Sequence, residues 1–250
     1  MLATTTAGAG DLAEVKARGA LRVLAVDLKE PDEFFQFKGE PGFDRELLEG
    51  FVRLSGLRLE AVAVAGWDEL VPALVAGRGD VIAGRFTVTD ERKKKIAFTR
   101  ETFPTRTVVL TRRPTPSVVS LDELRALRVG TIRGSSMAEA VSRAGVPPAN
   151  VDDGIKPGGL PEALASGRVK AVLLGIESAI TAQRDDPQVE LGMFVGEPGS
   201  LAFGVRLADA ELLQALDRYI QNVRRTATWN RLAVKYFGES APEVLRKARE

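Results

Sequence analysis

The sequence has no cysteine, no histidine and only two tyrosines, and no apolar run approaches the roughly 20 residues of a membrane-spanning helix. Each absence removes chemistry. Without Cys there is no thiolate nucleophile and no disulfide. Without Cys and His there is no Cys/His zinc site and no Ser-His-Asp triad. General acid–base work would fall to Asp, Glu, Lys or Tyr. A dominant charge is missing too: 35 basic residues against 34 acidic ones leave a formal net charge of +1. Such a balance offers no bulk field to gather nucleic acid or an anionic membrane. Recognition must come from a local site.

What is present is the composition of a globular chain: 250 residues, 44% hydrophobic and 28% charged, enough for two lobes that each bury a core. The opening "MLATTTAGAGDL" lacks the basic and apolar regions of an intact signal peptide. Residues 1–10 are expected to be a disordered leader. It is either the remnant of a processed export precursor or the flexible start of a cytosolic protein, and the segment alone does not separate the two.

Periodicity organises the rest. "DLAEVKARGA" (11–20) predicts a short helix and "LRVLAV" (21–26) a buried strand. "DRELLEGFVRLSG" (44–56) carries a helical apolar stripe, "LRLEAVAV" (57–64) alternates as a strand, "WDELVPALVAGRG" (67–79) is a helix and "DVIAGRFTV" (80–88) a third strand. Strands alternating with helices imply a parallel sheet covered by helices. "RTVVLTRR" (106–113) is a strand followed by a Pro-rich break, and then the pattern restarts. Helices are expected at 120–127, 135–145, 160–169 and 176–185, with strands at 128–134 and 170–175. Ser120 with Glu123 three residues on fits a capping box. A strand at 200–206 and two helices within 209–238 complete the reading. The fold class is therefore α/β. Lobe 1 is assigned 11–107 plus 200–250 and lobe 2 is assigned 108–199, with two crossings and a ligand cleft between them.

The stretch "GRFTVTDERKKKIAFT" (84–99) is a candidate anion site, with Thr87 and Thr89 on alternate positions before Arg92. Taken alone, Arg92 reads as one more member of a solvated charge run, and the threonines as ordinary strand residues. Trp67 suits a helix start or a ligand wall, Ser135 and Ser136 suit a helix N-terminus, and Phe34, Phe35 and Phe37 suit a lid or core.

Taken in order, several segments resemble the extracytoplasmic solute-binding proteins of the polar amino-acid type, family 3, with the type II periplasmic binding fold. They are "LRVLAVD", "GEPGFDRELLEGFVRLSGLRLEAVAV", "WDELVPALVAGRGDVIAGRFTVTDERKKKIAFTRETF", "LDELRALRVGTIRGSS" and "ALASGRVKAVLLGIESA". The resemblance spans about residues 11–238. It implies that Arg92 clamps a ligand carboxylate and that Gly84, Arg85 and Thr87 line the site beside it. Trp67 would stack on the ligand, and Ser135 and Ser136 would add donors from lobe 2. Phe35 is carried as a further contact and Arg133 as an additional cation. Arg forks and helix N-termini both favour anions. The chain also departs from the pattern. The place of an acid that holds a ligand ammonium falls at Gly175, with Glu177 two residues on, and bulky Arg85 stands where small residues are usual. The "DEFF" loop and the C-terminal half are similar to the solute-binding-like module of membrane-bound lytic transglycosylases.

The resemblance implies capture of a small carboxylate-bearing solute for an ABC-type transporter, with no catalytic residue, no metal and no cofactor. The expected setting is periplasmic or extracytoplasmic, as a monomer, with a membrane permease as partner and without nucleic acid or a membrane span. Two alternatives stand beside it: a ligand-sensing module related to the lytic transglycosylases, and a cyclohexadienyl-type dehydratase on the same fold.

Overall fold

The computed structural model describes residues 11–28 and 32–250. The leader expected over 1–10 lies outside the described residues. The chain begins with α1 (Leu12–Arg18), capped by the Asp11 carboxylate and stopped by Gly19 in the left-handed region at φ 72°. It runs on through β1 (Ala20–Val26), α2 (Phe43–Leu54), β2 (Arg58–Val64), α3 (Trp67–Val75), β3 (Val81–Ile82), α4 (Asp90–Lys93) and β4 (Ile96–Phe98). β5 (Phe103–Thr105) and β6 (Thr107–Arg112) lead to α5 (Leu121–Ala126), β7 (Val129–Gly130), α6 (Ser136–Arg143), β8 (Val151–Asp152), α7 (Leu160–Ala165), β9 (Ala171–Gly175), α8 (Ile176–Asp185) and β10 (Val189–Phe194). β11 (Gly199–Leu201), β12 (Gly204–Arg206), α9 (Ala210–Arg225), α10 (Ala227–Phe237) and α11 (Ala241–Arg249) finish the chain.

Two five-stranded sheets form, in the orders β2-β1-β3-β12-β4 and β10-β6-β9-β7-β8. In the first, β1 lies parallel between β2 and β3, which explains its nearly unbroken apolar run: six of its seven residues are buried. α2 buries Phe43, Leu47, Leu48, Phe51 and Val52, one helical stripe. The second sheet is mixed, with β7 parallel to β8 and β9, and β6 antiparallel to β9 and β10. The chain passes between the sheets twice, and both passages run through a two-stranded ribbon in which β11 pairs antiparallel with β5, Gly199 opposite Thr105. The result is a two-lobe α/β fold with the ribbon as its hinge.

An aromatic cluster seals the base of the ribbon. Phe103 packs against Phe34, Phe43, Phe237 and Trp229 with ring centroids 4.8 to 5.6 Å apart. Phe34 is therefore core. α11, which the sequence reading does not anticipate, packs on β5 and α8 and buries Val244 and Ala248.

Three expected strands come out differently. "DVIAGRFTV" pairs only at Val81 and Ile82, because Gly84 (φ 87°) and Arg85 (φ 49°) turn the chain out of the sheet. "RVGTIRG" pairs only at Val129 and Gly130. "SLAFGVR" divides into β11 and β12 at Ala202–Phe203, where the Ala202 N–H donates to the Phe86 carbonyl.

Candidate functional site

The turn that cuts β3 short opens the cleft. Its amides at Gly84 and Arg85 donate to the Asp44 Oδ2 carboxylate oxygen at 3.1 and 2.9 Å. Asp44 is fully buried, and burial raises its pKa to about 7 against the lowering effect of those amides. One buried acid thus holds a left-handed arginine, a conformation that costs a non-glycine residue about 1 kcal/mol.

Beyond the turn, Thr89 caps α4 by accepting the Arg92 N–H at 3.3 Å. This cap fixes the direction of Arg92. Its side chain is 7% exposed and lies with its guanidinium carbon 4.1 Å from the Phe86 ring centroid. Nη1 donates to the Thr87 carbonyl at 2.7 Å and Nη2 to the Gly134 carbonyl of the opposite lobe at 3.2 Å. Burial lowers its pKa to about 10, so it stays cationic at neutral pH. Lys93 and Lys94 of the same charge run are exposed and pair with Asp90 and Glu91.

The second lobe meets this edge with the N-terminus of α6. Ser135 Oγ accepts the Ala138 N–H at 3.2 Å, and the Ser136 hydroxyl donates to Thr87 Oγ1 at 3.0 Å. A Cβ added at Gly134 would lie 2.5 Å from the Asp68 amide nitrogen across the cleft. The lobes are therefore closed on each other.

Between them lies a small cavity of about 70 Å³. Trp67, Arg85, Thr87 and Arg92 line it from the first lobe, and Ser135, Ser136, Ile132, Met137, Leu160, Leu174, Gly175, Glu177 and Ser178 from the second. Of the nine residues that the resemblance or the sequence assigns to the site, six meet here and three, Gly84, Phe35 and Arg133, do not. Gly84 works through its backbone in the turn and does not line the cavity. Phe35 is 4% exposed, packed edge-on against Phe37 and beneath Gly84, so it shapes the turn from behind. Arg133 is largely exposed and paired with Asp153 at 3.1 Å, in a separate shallow depression with Asp68 and Glu69.

The far wall holds what sequence reasoning underrated. The acid expected near Gly175 is absent from that position, yet its place is occupied. A Cβ built at Gly175 would lie 2.0 Å from Glu177 Oε1, so the Glu177 carboxylate folds back into the room that the glycine leaves. Glu177 is 3% exposed, and the Thr105 hydroxyl of the hinge ribbon donates to its Oε2 at 2.7 Å. Burial pushes its pKa up to about 7, despite the Thr105 hydrogen bond and the nearby Arg85 charge. Arg85 reaches across the cleft, Nη1 2.9 Å from Ser178 Oγ and 3.1 Å from Asp32 Oδ2. Asp32 in turn accepts the Phe34 and Phe35 amides at 2.7 and 3.0 Å. The Asp-x-Phe-Phe spacing is the only sequence signal for that acid, as an Asx-type turn. Nothing in the spacing of Ser178 marks it.

The cavity thus has a cationic end, at Arg92 with two serines on a helix N-terminus, and an end where Glu177 and Arg85 meet. The sequence profile of the bacterial extracellular solute-binding proteins, family 3, matches residues 21–239. This chain belongs to that family. It is 28% identical over 95% of its length to a membrane-bound lytic murein transglycosylase F from Stutzerimonas stutzeri, covering 50% of that protein. It is 26% identical to the lysine/arginine/ornithine-binding periplasmic protein of Escherichia coli over 78% of each chain. Among solved structures, an ancestral arginine-binding protein bound to arginine superposes with a TM-score of 0.76 at 26% identity, covering 88% of this chain and 99% of the other. The chain spans about half the length of the lytic transglycosylase relatives it matches. Among the described residues no helix is long and apolar enough to cross a membrane.

Proposed function

We propose that this family 3 protein captures a small carboxylate-bearing polar solute, an amino acid or a related anion, between its two lobes outside the cytoplasm and presents it to an ABC-type permease. One observation carries the reading: a closed interlobe cavity with Arg92, Thr87 and the Ser135–Ser136 helix terminus at one end and Glu177 at the other. The guanidinium fork and the helix terminus suit a carboxylate. Trp67 gives a flat wall, and closure excludes water, which strengthens every polar contact inside. The ribbon of β5 and β11 takes up the opening motion.

Calorimetry against a panel of amino acids and dicarboxylates tests this. A member of the panel binds the wild type, and Arg92→Ala weakens it by about 100-fold or more, as expected for a buried charged partner. Unchanged affinity in a folded Arg92→Ala variant would remove the clamp from the reading. A second reading, a ligand-sensing module allied to cell-wall enzymes, is favoured by the 28% identity to lytic transglycosylase F along 95% of this chain. It predicts binding of muropeptides in preference to free amino acids in the same calorimeter.

A further inference from the structure

Arg85 is the least expected side chain of the cleft. Its backbone is left-handed at φ 49°, among the described residues the one non-glycine with positive φ. A turn held by a buried carboxylate maintains that strain. Strain of this kind persists where the surrounding structure imposes it, and it points to a role for the side chain. The guanidinium is placed among acids: Nη1 is 3.1 Å from Asp32 Oδ2, and its charge acts on both Glu33 and Glu177. It also accepts no competitor easily, because Ser178 of the opposite lobe and the Trp67 ring, 5.9 Å away, flank the same group. Acids and an aromatic face converging on one point are the features that bind a guanidinium or an ammonium. Here the chain supplies that cation itself.

We propose that Arg85 is a tethered cation that fills the cationic subsite of the cleft, so that the protein rejects solutes with a cationic side chain and takes short neutral or acidic ones. This rests on the solute-binding reading for its biological meaning, but the subsite can be tested apart from it. Rejection follows from two terms. A solute cation would have to displace the Arg85 fork from Asp32, and the displaced guanidinium would stay in a partly buried position beside a like charge. Truncating Arg85 removes both terms and leaves Asp32 without its partner.

The test uses the wild type, Arg85→Gly and Arg85→Gln, with folding verified by circular dichroism. Glycine suits the left-handed backbone, and glutamine keeps bulk while removing charge. The first measurement is a thermal shift with ethylguanidinium at low millimolar concentration. It should raise the Tm of Arg85→Gly and leave the wild type and Arg85→Gln unchanged. The second is calorimetry with L-arginine and L-glutamine. L-arginine should bind Arg85→Gly about tenfold or more tightly than it binds the wild type. No ethylguanidinium effect on Arg85→Gly, or equal affinity of wild type and Arg85→Gly for L-arginine, overturns the proposal. The two readings separate cleanly. If the wild type binds L-glutamine and L-arginine alike, solute binding stands and the tethered cation falls. If the wild type binds no amino acid while ethylguanidinium stabilises Arg85→Gly, the tethered cation stands and the amino-acid reading falls. Should Arg85→Gly fail to fold, Arg85→Ser carries the same measurements, and wild-type preference for L-arginine over L-glutamine would refute the proposal without any variant.

Discussion

Glu177→Gln should make the protein more stable at alkaline pH and nearly leave it alone at acid pH. Glu177 is 3% exposed, and burial raises its pKa from 4.5 to about 7. Its folded pKa lies above its unfolded one, so the folded state binds the proton more readily. The stabilisation from that proton is fully present below pH 4.5 and is lost as pH rises through about 7. Each pKa unit corresponds to about 1.4 kcal/mol, so an ionised Glu177 costs the fold about 3 kcal/mol at pH 8. Glutamine is neutral throughout and can still accept the Thr105 hydroxyl at the Oε2 position. Its amide N–H₂ adds a modest penalty of about 1 kcal/mol if one hydrogen goes unpaired, and that penalty is the same at both pH values. Asp44 titrates in the same window with a pKa of about 7, so the wild type alone would overstate the effect. The comparison of variant with wild type isolates Glu177. Urea unfolding at pH 5 and pH 8 reads the result: the variant's advantage should grow by about 2.5 kcal/mol between them, or roughly 5–10 °C in Tm for a chain of this size. A pH-independent difference between the two proteins would show that Glu177 does not titrate between folded and unfolded states as the burial argument requires.

Three further outcomes follow from the same geometry. An ammonium-bearing solute seated against Glu177 should ionise it, releasing close to one proton per molecule bound at pH 6 and almost none at pH 8.5; calorimetry in buffers of different ionisation enthalpy counts it, and binding without release at pH 6 removes Glu177 as the ammonium partner. Gly134→Ala puts a Cβ 2.5 Å from the Asp68 amide nitrogen at φ 73°, so it should block closure while costing the second lobe only about 1 kcal/mol of strain. X-ray scattering should then give the open radius of gyration even at saturating ligand, and a normal closed radius would refute the contact's role. Asp80 is wholly buried and paired with Arg18 at 2.5 Å and Arg22 at 2.9 Å, away from the cavity. Asp80→Ala should cost about 3 kcal/mol in urea unfolding, because it strands the partly buried Arg18 and Arg22 guanidinium groups, yet leave ligand affinity in the folded protein unchanged.

Legibility in the sequence tracked the length of the physical signal. α2 and α8 carry apolar stripes over ten or more residues, and the helical reading places them within a residue or two, while α9 is read only as one of two helices within 209–238. β1 announced itself because a strand buried on both faces must be apolar throughout. Strands such as β4, β5 and β10 have no such signal, since their pairing depends on segments up to 110 residues away. The Arg92 cation was legible through its Thr-x-Thr-x-x-Arg setting, whereas its two carbonyl partners were not: one belongs to the opposite lobe.

The sequence by itself determined that this is a double α/β chain without thiol, imidazole or bulk-charge chemistry, and it supplied the ordered segments that mark family 3. Local periodicity and composition suffice for that, because they act between residues a turn or a pleat apart. Only the tertiary structure decided what the cleft holds. A glycine at 175 reads as a lost acid until the first turn of α8 folds the Glu177 carboxylate into the vacant space. Arg85 reads as an oversized neighbour of the clamp until Asp44 bends the backbone and Asp32 receives the guanidinium. Both depend on groups brought together from distant parts of the chain, where burial sets charge and hydrogen-bond strength, and no spacing in the sequence encodes that convergence.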